Sequence, residues 1–236
     1  MNIKAFIAEI IRRLLPRAIM NEIRQMPEHA NLSFSQEGED ILLQRLFENK
    51  ATGFFIDVGA HHPTRFSNTY LFYLRGWRGI NIDAMPGSMQ AFDRLRPNDI
   101  NIECAISDRE EELTYFVFNK TALNTFSEEE ALRKDGLRNY RIVERRIMKA
   151  HTLARLLGEH MQDGQVIDFL SVDAEGMDLR VLKSLDWSKH KPHMILAEDL
   201  QSAPGEEGEI KTYLQEKGYE LFARTLNTLF FRSKAR

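Results

Sequence analysis

The chain has 236 residues, 43% of them hydrophobic, and a formal charge of -3. That is enough apolar material for one substantial core, while the near-neutral balance offers no concentrated basic face and so gives no case for nucleic acid as a partner. The single cysteine, Cys104, excludes an internal disulfide and suits a cytoplasmic setting, and no apolar run is long enough to cross a bilayer.

At the start of the chain Ile3, Phe6, Ile7, Ile10, Ile11, Leu14 and Leu15 recur at helical spacing, with Lys4, Glu9, Arg12 and Arg13 on other faces, until Pro16 stops the helix. Residues 1–30 therefore read as an amphipathic helix and connector. Such a helix packs on the domain, on a second copy of the chain as a homo-oligomer, or on a membrane surface through residues 1–16. Residues 31–236 read as one domain. A helix from Ile41 to Phe47 follows, with Ser35 or Asp40 as its cap.

The run Phe54-Phe55-Ile56-Asp57-Val58-Gly59-Ala60-His61-His62-Pro63 begins as a strand buried on both faces and closes on an acid and a glycine, in the manner of a nucleotide-binding turn. The dinucleotide fingerprint has three spaced glycines opening straight into a helix. Here His62-Pro63 interrupts, so a ligand without phosphates fits better than a pyrophosphate. Ser67 to Leu74 is a predicted helix ending near Gly76. Trp77 to Asp83 is the second strand, and Asp83 stands about twenty residues past the glycine turn, where a carboxylate accepts both ribose hydroxyls or else caps the next helix. A helix over 88–95 and a third strand from Ile100 to Ile106 lead to Ser107-Asp108 at another carboxyl end. Cys104, in the apolar run Ile102-Glu103-Cys104-Ala105-Ile106, is expected as a small core residue.

Leu113 to Phe118 alternates as a strand does. Residues 119–149 read as an insertion or lid, in which Glu128-Glu129-Glu130 is a solvated helix start and Arg141, Arg145 and Arg146 are surface charge or anion contacts. A helix over 151–157 precedes the fourth core strand, Val166 to Asp173, beyond which Asp173 and Glu175 flank the strand end beside Gly176. Carboxylates there can hold a divalent ion, orient a hydroxyl, or take its proton. The fifth strand, Met194 to Ala197, ends in Glu198-Asp199, and the tail holds a helix over 210–217 and strands over 219–223 and 228–231. Alternating strands and helices, with acids at successive strand ends, make an α/β three-layer domain.

In order along the chain, Ser35-Gln36-Glu37-Gly38-Glu39-Asp40, Phe55-Ile56-Asp57-Val58-Gly59-Ala60-His61, Ser67-Asn68-Thr69, Gly76-Trp77-Arg78-Gly79 and Asp173-Ala174-Glu175-Gly176 resemble the FkbM family of S-adenosylmethionine-dependent O-methyltransferases. The likeness runs from about residue 34 to residue 200, and five short motifs in order are far more specific than one. It implies a class I methyltransferase fold: a Rossmann-like three-layer sandwich on a mostly parallel seven-stranded sheet with a reversed last strand. It also implies S-adenosylmethionine as cofactor. By position, Asp57, Gly59 and Ala60 would lie along its methionine part, Asp83 and the adjoining Ala84 at the ribose, and Asp108 at the adenine, with Gln36, Glu39 and Asp40 closing the pocket. A hydroxyl of a sugar, glycan or secondary-metabolite acceptor is the implied target.

The methyl group of such a cofactor is already activated, so the protein has chiefly to align an oxygen and remove a proton. Candidates for that base are His61, His62, Asp173 and Glu175. A divalent cation such as magnesium on Asp173, Glu198 and Asp199, similar to the catechol O-methyltransferase class, would acidify the hydroxyl instead; plain hydrogen bonding to substrate hydroxyls is the alternative. Two other readings use the same sheet: a nicotinamide-dependent oxidoreductase, which needs the missing phosphate turn, and a non-catalytic binding protein with a degenerate pocket.

Overall fold

The computed structural model describes residues 30–199 and 208–234; the amphipathic helix expected at 1–16 lies outside the described residues. In chain order the first elements are α1 (Glu39–Leu46), β1 (Phe54–Val58), α2 (Tyr70–Leu74), β2 (Arg78–Asp83), α3 (Met89–Leu95), β3 (Ile100–Glu103) and β4 (Ala105–Ile106). Next come β5 (Glu111–Phe118), a 3₁₀ turn (Thr121–Leu123), α4 (Glu128–Lys134), β6 (Ile142–His151) and α5 (Leu153–His160). The last are β7 (Phe169–Val172), α6 (Asp178–Lys183), β8 (Met194–Glu198), α7 (Glu209–Glu216), β9 (Tyr219–Arg224) and β10 (Thr228–Ser233).

Near-continuous apolar strands such as β1 and β7 are stable only where helices cover both faces, and they take the middle of a seven-stranded sheet ordered β3-β2-β1-β7-β8-β10-β9. The registered pairs from β3 through β8 are parallel, and β10 runs antiparallel to both neighbours, the reversed last strand that the motifs imply. Strand order reverses between β1 and β7. The carboxyl ends of those two strands therefore diverge into the crevice where open α/β sheets take ligands.

The two faces of the sheet are packed differently. One is aliphatic, built from Ile56, Val58, Ile80, Ile82, Leu170, Val172 and Ile195 against Leu153, Leu157, Val181 and Leu182. The other is aromatic: Phe55, Phe72, Trp77 and Phe169 meet with Phe72–Trp77 and Phe72–Phe169 ring centroids 4.8 and 5.0 Å apart. Gly79 in β2 makes room for this, since a Cβ there would fall 2.2 Å from the Phe55 ring. Rings tilted in this way combine a large buried area with favourable edge-to-face contact.

The expected third strand divides at Cys104. β3 pairs with β2, whereas β4 leaves the main sheet and pairs with β6 in a second, three-stranded sheet ordered β4-β6-β5. The excursion thus runs from Ala105 to His151, wider than the expected 119–149, because β5 and β6 are long antiparallel partners of each other and of nothing in the main sheet. The basic segment at Arg141–Lys149 is mostly strand. Ser127 caps α4 by accepting from Glu130 N at 3.2 Å. The acidic run is not wholly solvated: Glu130 is 4% exposed and pairs with Arg133 and Lys134.

Candidate active site

Four strand ends, those of β1, β2, β7 and β8, open on the same side of the sheet, and the main cleft lies over β1, β2 and β7. The space within it, counting what is open to solvent at the mouth, is about 880 Å³. Ile82, Cys104, Ile106, Met177 and Val181 form its apolar floor and side, Gly59, His61, Asp83, Ala84 and Met85 one rim, and Asp173, Ala174 and Glu175 the other. Tyr115, Asn124, Thr125 and Phe126 of the excursion cover it. A smaller, more polar annex adjoins through Gln36, Phe66 and Asp173, which line both, and continues past Glu39, Asn68, Glu198, Asn227 and Thr228.

Asp83 is fixed from within. One carboxylate oxygen accepts from His61 N and the other from Met85 N, both at 2.8 Å. Each oxygen keeps a lone pair, so a vicinal diol facing it would find two aligned acceptors. Burial nonetheless raises its pKa, with the two amides pulling the other way. Gly59, at φ +82, lets the turn after β1 tuck against β7: a Cβ there would lie 1.8 Å from the Asp173 carbonyl oxygen. The glycine's free face is thus taken by protein backbone, and no helix starts until Tyr70, so the turn has neither the space nor the helix N-terminus of a phosphate cradle.

The acids at β7 and β8 sit in a different setting. Carboxylate oxygens of Asp173, Glu175 and Glu198 lie within 4.8 Å of one another. Asp173 is an exposed residue that faces the cleft and the annex; its pKa is raised first by the solvent the surrounding protein takes from it, then by Glu175 and Asp178, with a hydrogen bond shared with Glu198 opposing. Asp178, 3% exposed beneath them, is pushed up to about 7 by burial, against the backbone N–H groups of Ala174, Gly176 and Glu198. Glu175 is raised by burial and held down by Lys134, whose Nζ lies 2.5 Å from its Oε2.

That ion pair bears on the metal question. Three oxygens converge, but one belongs to a carboxylate already neutralised by an ammonium, and Asp199 is outside the group. Of the three residues expected to hold a cation, Asp173 and Glu198 thus belong to the converging group, and Glu175, paired with Lys134, stands where Asp199 was expected. Asp199 instead anchors its chain to the β9–β10 connection, Asp199 N donating to Asn227 O at 2.9 Å.

Of the residues singled out in the sequence, Gln36, Gly59, His61, Asp83, Ala84, Asp173 and Glu175 line the main cleft, and Glu39 and Glu198 line the annex. Asp40, Asp57, Ala60, His62, Asp108 and Asp199 line neither. Asp57 is buried at 5% exposure and accepts from Thr69 Oγ1 at 2.8 Å; Thr69 in turn accepts from Arg96, fully buried among the rings of Phe55, Tyr73 and Phe92. Asp40 ties down the segment before α1, accepting from Ser33 Oγ, Ser35 Oγ and Phe34 N, while the helix cap position is Gly38. Ser35 does meet the helix: its Oγ accepts from Asp40 N at 3.3 Å. His62 Nδ1 accepts from Thr64 N and Arg65 N, both at 3.2 Å, which makes it an organiser of the turn. Asp108 is turned outward, into a pair with Arg180.

No short motif marks Tyr115, Asn124 or Phe126, and topology alone carries them to the cleft; Phe66, which also lines it, directly precedes Ser67-Asn68-Thr69, and Lys134 stands behind it on Glu175. Backbone conformation offers a retrospective signal. Among the described residues four non-glycines have positive φ, His61, Phe66, Arg138 and Glu175, and all but Arg138 line the cleft. Strain of this kind gathers where the surroundings over-determine a functional conformation.

Residues 57–221 match the methyltransferase FkbM domain. Among solved structures, a candidate methyltransferase, yhhF, from Escherichia coli is 9% identical with a TM-score of 0.43, covering 89% of this chain and 92% of that one. A candidate O-methyltransferase from Klebsiella pneumoniae is 10% identical with a TM-score of 0.40, covering 96% and 94%. No curated protein matches the sequence.

Proposed function

Since the chain belongs to the FkbM methyltransferase family, we propose that it transfers a methyl group from S-adenosylmethionine to a hydroxyl oxygen of a small-molecule or glycan acceptor, a sugar hydroxyl in the first instance. The observation that carries this reading is Asp83: a cleft-facing carboxylate with both oxygens pre-aligned by backbone amides, over an apolar floor and beside a turn without room for phosphate. These acceptors suit the ribose of a nucleoside, and the turn disfavours a nicotinamide dinucleotide, which needs the phosphate turn.

When bound, the cofactor supplies a methyl group already activated for transfer to oxygen. The protein's part is to hold the two partners and manage one proton. Asp83 would take the ribose hydroxyls, and Ile82, Ile106 and Val181 would exclude water beneath the base. Asp173 faces both the main cleft and the annex, and so stands where a donor in one would meet an acceptor in the other. In this assignment Asp173 would receive the proton that the acceptor hydroxyl gives up on methylation. Its raised pKa makes it a stronger base than an ordinary aspartate. His61, whose pKa burial lowers, is neutral near pH 7 and lies across the cleft as a second acceptor for that proton.

Calorimetric titration with S-adenosylhomocysteine and with NAD tests the proposal. Binding of the first and not the second is the expected result. A protein that bound neither would be a binding module on a degenerate pocket.

A further inference from the structure

Resting on that reading of the cleft, we propose that Lys134 is a positioning residue: its ammonium, delivered by the excursion, latches Glu175 and thereby sets the strand-end turn that lines the methyl-donor cleft. The latch is built outward from the sequence. Thr125 is fixed on β5 by exchanging two backbone hydrogen bonds with Phe116, and its Oγ1 accepts from Ser127 N at 2.9 Å. Ser127 then caps α4, which fixes the direction of that helix and of Lys134 in its last turn.

Lys134 is 8% exposed, an unusual place for an ammonium, and its Nζ lies 2.5 Å from Glu175 Oε2 and 3.6 Å from Glu130 Oε2. A lysine is buried only where such partners hold it. Three further features mark the same junction. Thr125 Oγ1 donates to the Glu175 carbonyl at 2.7 Å, Glu175 is held at φ +50, and Gly176, at φ +95, fits so closely that a Cβ would come 2.9 Å from Glu130 Cγ. Excursion and core sheet therefore touch at the turn over residues 173–177, and four of those five residues line the cleft. Lys134 itself does not line the cleft, so its effect passes through Glu175. Glu175 in turn, with its carboxylate committed to Lys134, serves as the latch partner; the proton-accepting role stays with Asp173.

The test compares wild type with Lys134→Ala, Lys134→Arg, Glu175→Gln and the apolar pair Lys134→Met/Glu175→Met, using S-adenosylhomocysteine affinity by calorimetry, melting temperature, and hydrogen exchange of amides 121–126 and 174–177. Lys134→Ala is expected to weaken S-adenosylhomocysteine binding about tenfold and to raise the KM for the methyl donor with kcat at saturation little changed. Lys134→Arg should recover to within about threefold, and the apolar pair should bind better than Lys134→Ala because no lone buried charge remains. Exchange should rise together in the two segments and not in β1 or β7. A Lys134→Ala protein that melts lower but binds S-adenosylhomocysteine as wild type does would reduce Lys134 to a fold support and overturn the proposal. Should wild type bind no S-adenosylhomocysteine, the methyl-donor reading fails instead; the latch is then decided by exchange, and independent responses of the two segments would refute it.

Discussion

Asp83 and Asp173 are the same residue type at or just past equivalent strand ends of one sheet, and their surroundings assign them opposite work. Asp83 accepts one backbone N–H from the turn after β1 and one from its own turn, which fixes its position and leaves a lone pair on each oxygen for a ligand. Asp173 loses solvent to the protein around it and has Glu175 and Asp178 beside it, so its affinity for a proton is raised well above the ordinary, with a hydrogen bond shared with Glu198 opposing; burial raises Asp83 too, but there backbone amides oppose it. One carboxylate is suited to hold a diol and the other to accept a proton. Separating carboxylates by environment in this way is a general route to distinct roles within one site.

The comparison is broken most severely at Asp173. Asp173→Asn keeps the shape and removes the proton acceptor, so turnover should fall by about 10²–10⁴, the usual contribution of a positioned base, while S-adenosylhomocysteine affinity stays within about twofold by calorimetry. A loss of affinity matching the loss of rate would make Asp173 a cofactor ligand. The intact enzyme carries a related signature: because the Asp173 pKa is raised, kcat should decline on acidification along a limb lying above the ordinary aspartate range.

Next in size is Asp83→Ala, which removes two charge-assisted hydrogen bonds and should weaken S-adenosylhomocysteine by about 1.5–3 kcal/mol, roughly 10–100-fold. Here kcat at saturating donor should change little, the reverse of the Asp173 pattern. Unchanged affinity would remove Asp83 from the cofactor site.

The parts of this arrangement that could be read from the sequence are those carried by local pattern. Apolar runs that end on Asp57, Asp83 and Asp173 disclose buried parallel strands and their carboxyl ends without reference to anything distant. What such runs omit is side-chain direction. Asp57 precedes its turn by one residue too many: it alternates back under the sheet, to Thr69 and the buried Arg96, where the sequence places it beside a ligand. Asp108 follows a strand that leaves the main sheet at Cys104, and the departure carries it away from the cleft to Arg180. The cover supplied by Tyr115, Asn124 and Phe126 depends on pairing between β5 and β6 across the excursion, a long-range fact with no local signature.

A smaller effect sharpens the contrast on the acid side. The Asp178 carboxyl is raised from 3.8 to about 7 in the folded protein by burial. Between those values the folded state holds a proton that the unfolded state releases. Its contribution to stability is thus complete below about pH 4 and is lost as pH rises to about 7. Asp178→Asn should flatten this fall, seen as a weaker decline in urea midpoint from pH 5 to pH 8. An unchanged slope would mean the cluster's protons reside elsewhere.

The smallest expected effect is none at all, and it tests the acid cluster from the other side. Asp173, Glu175 and Glu198 bring oxygens within 4.8 Å, a spacing that can suit a hard cation. A divalent ion would compete with Lys134 for the charge of Glu175 and give up part of its own hydration. Exhaustive chelation should therefore leave kcat and donor KM as they were. A loss restored by magnesium would show that the ammonium yields to an ion during turnover. Lys134→Ala, by vacating Glu175, should be the variant in which magnesium dependence first emerges if the cluster has any affinity for the ion.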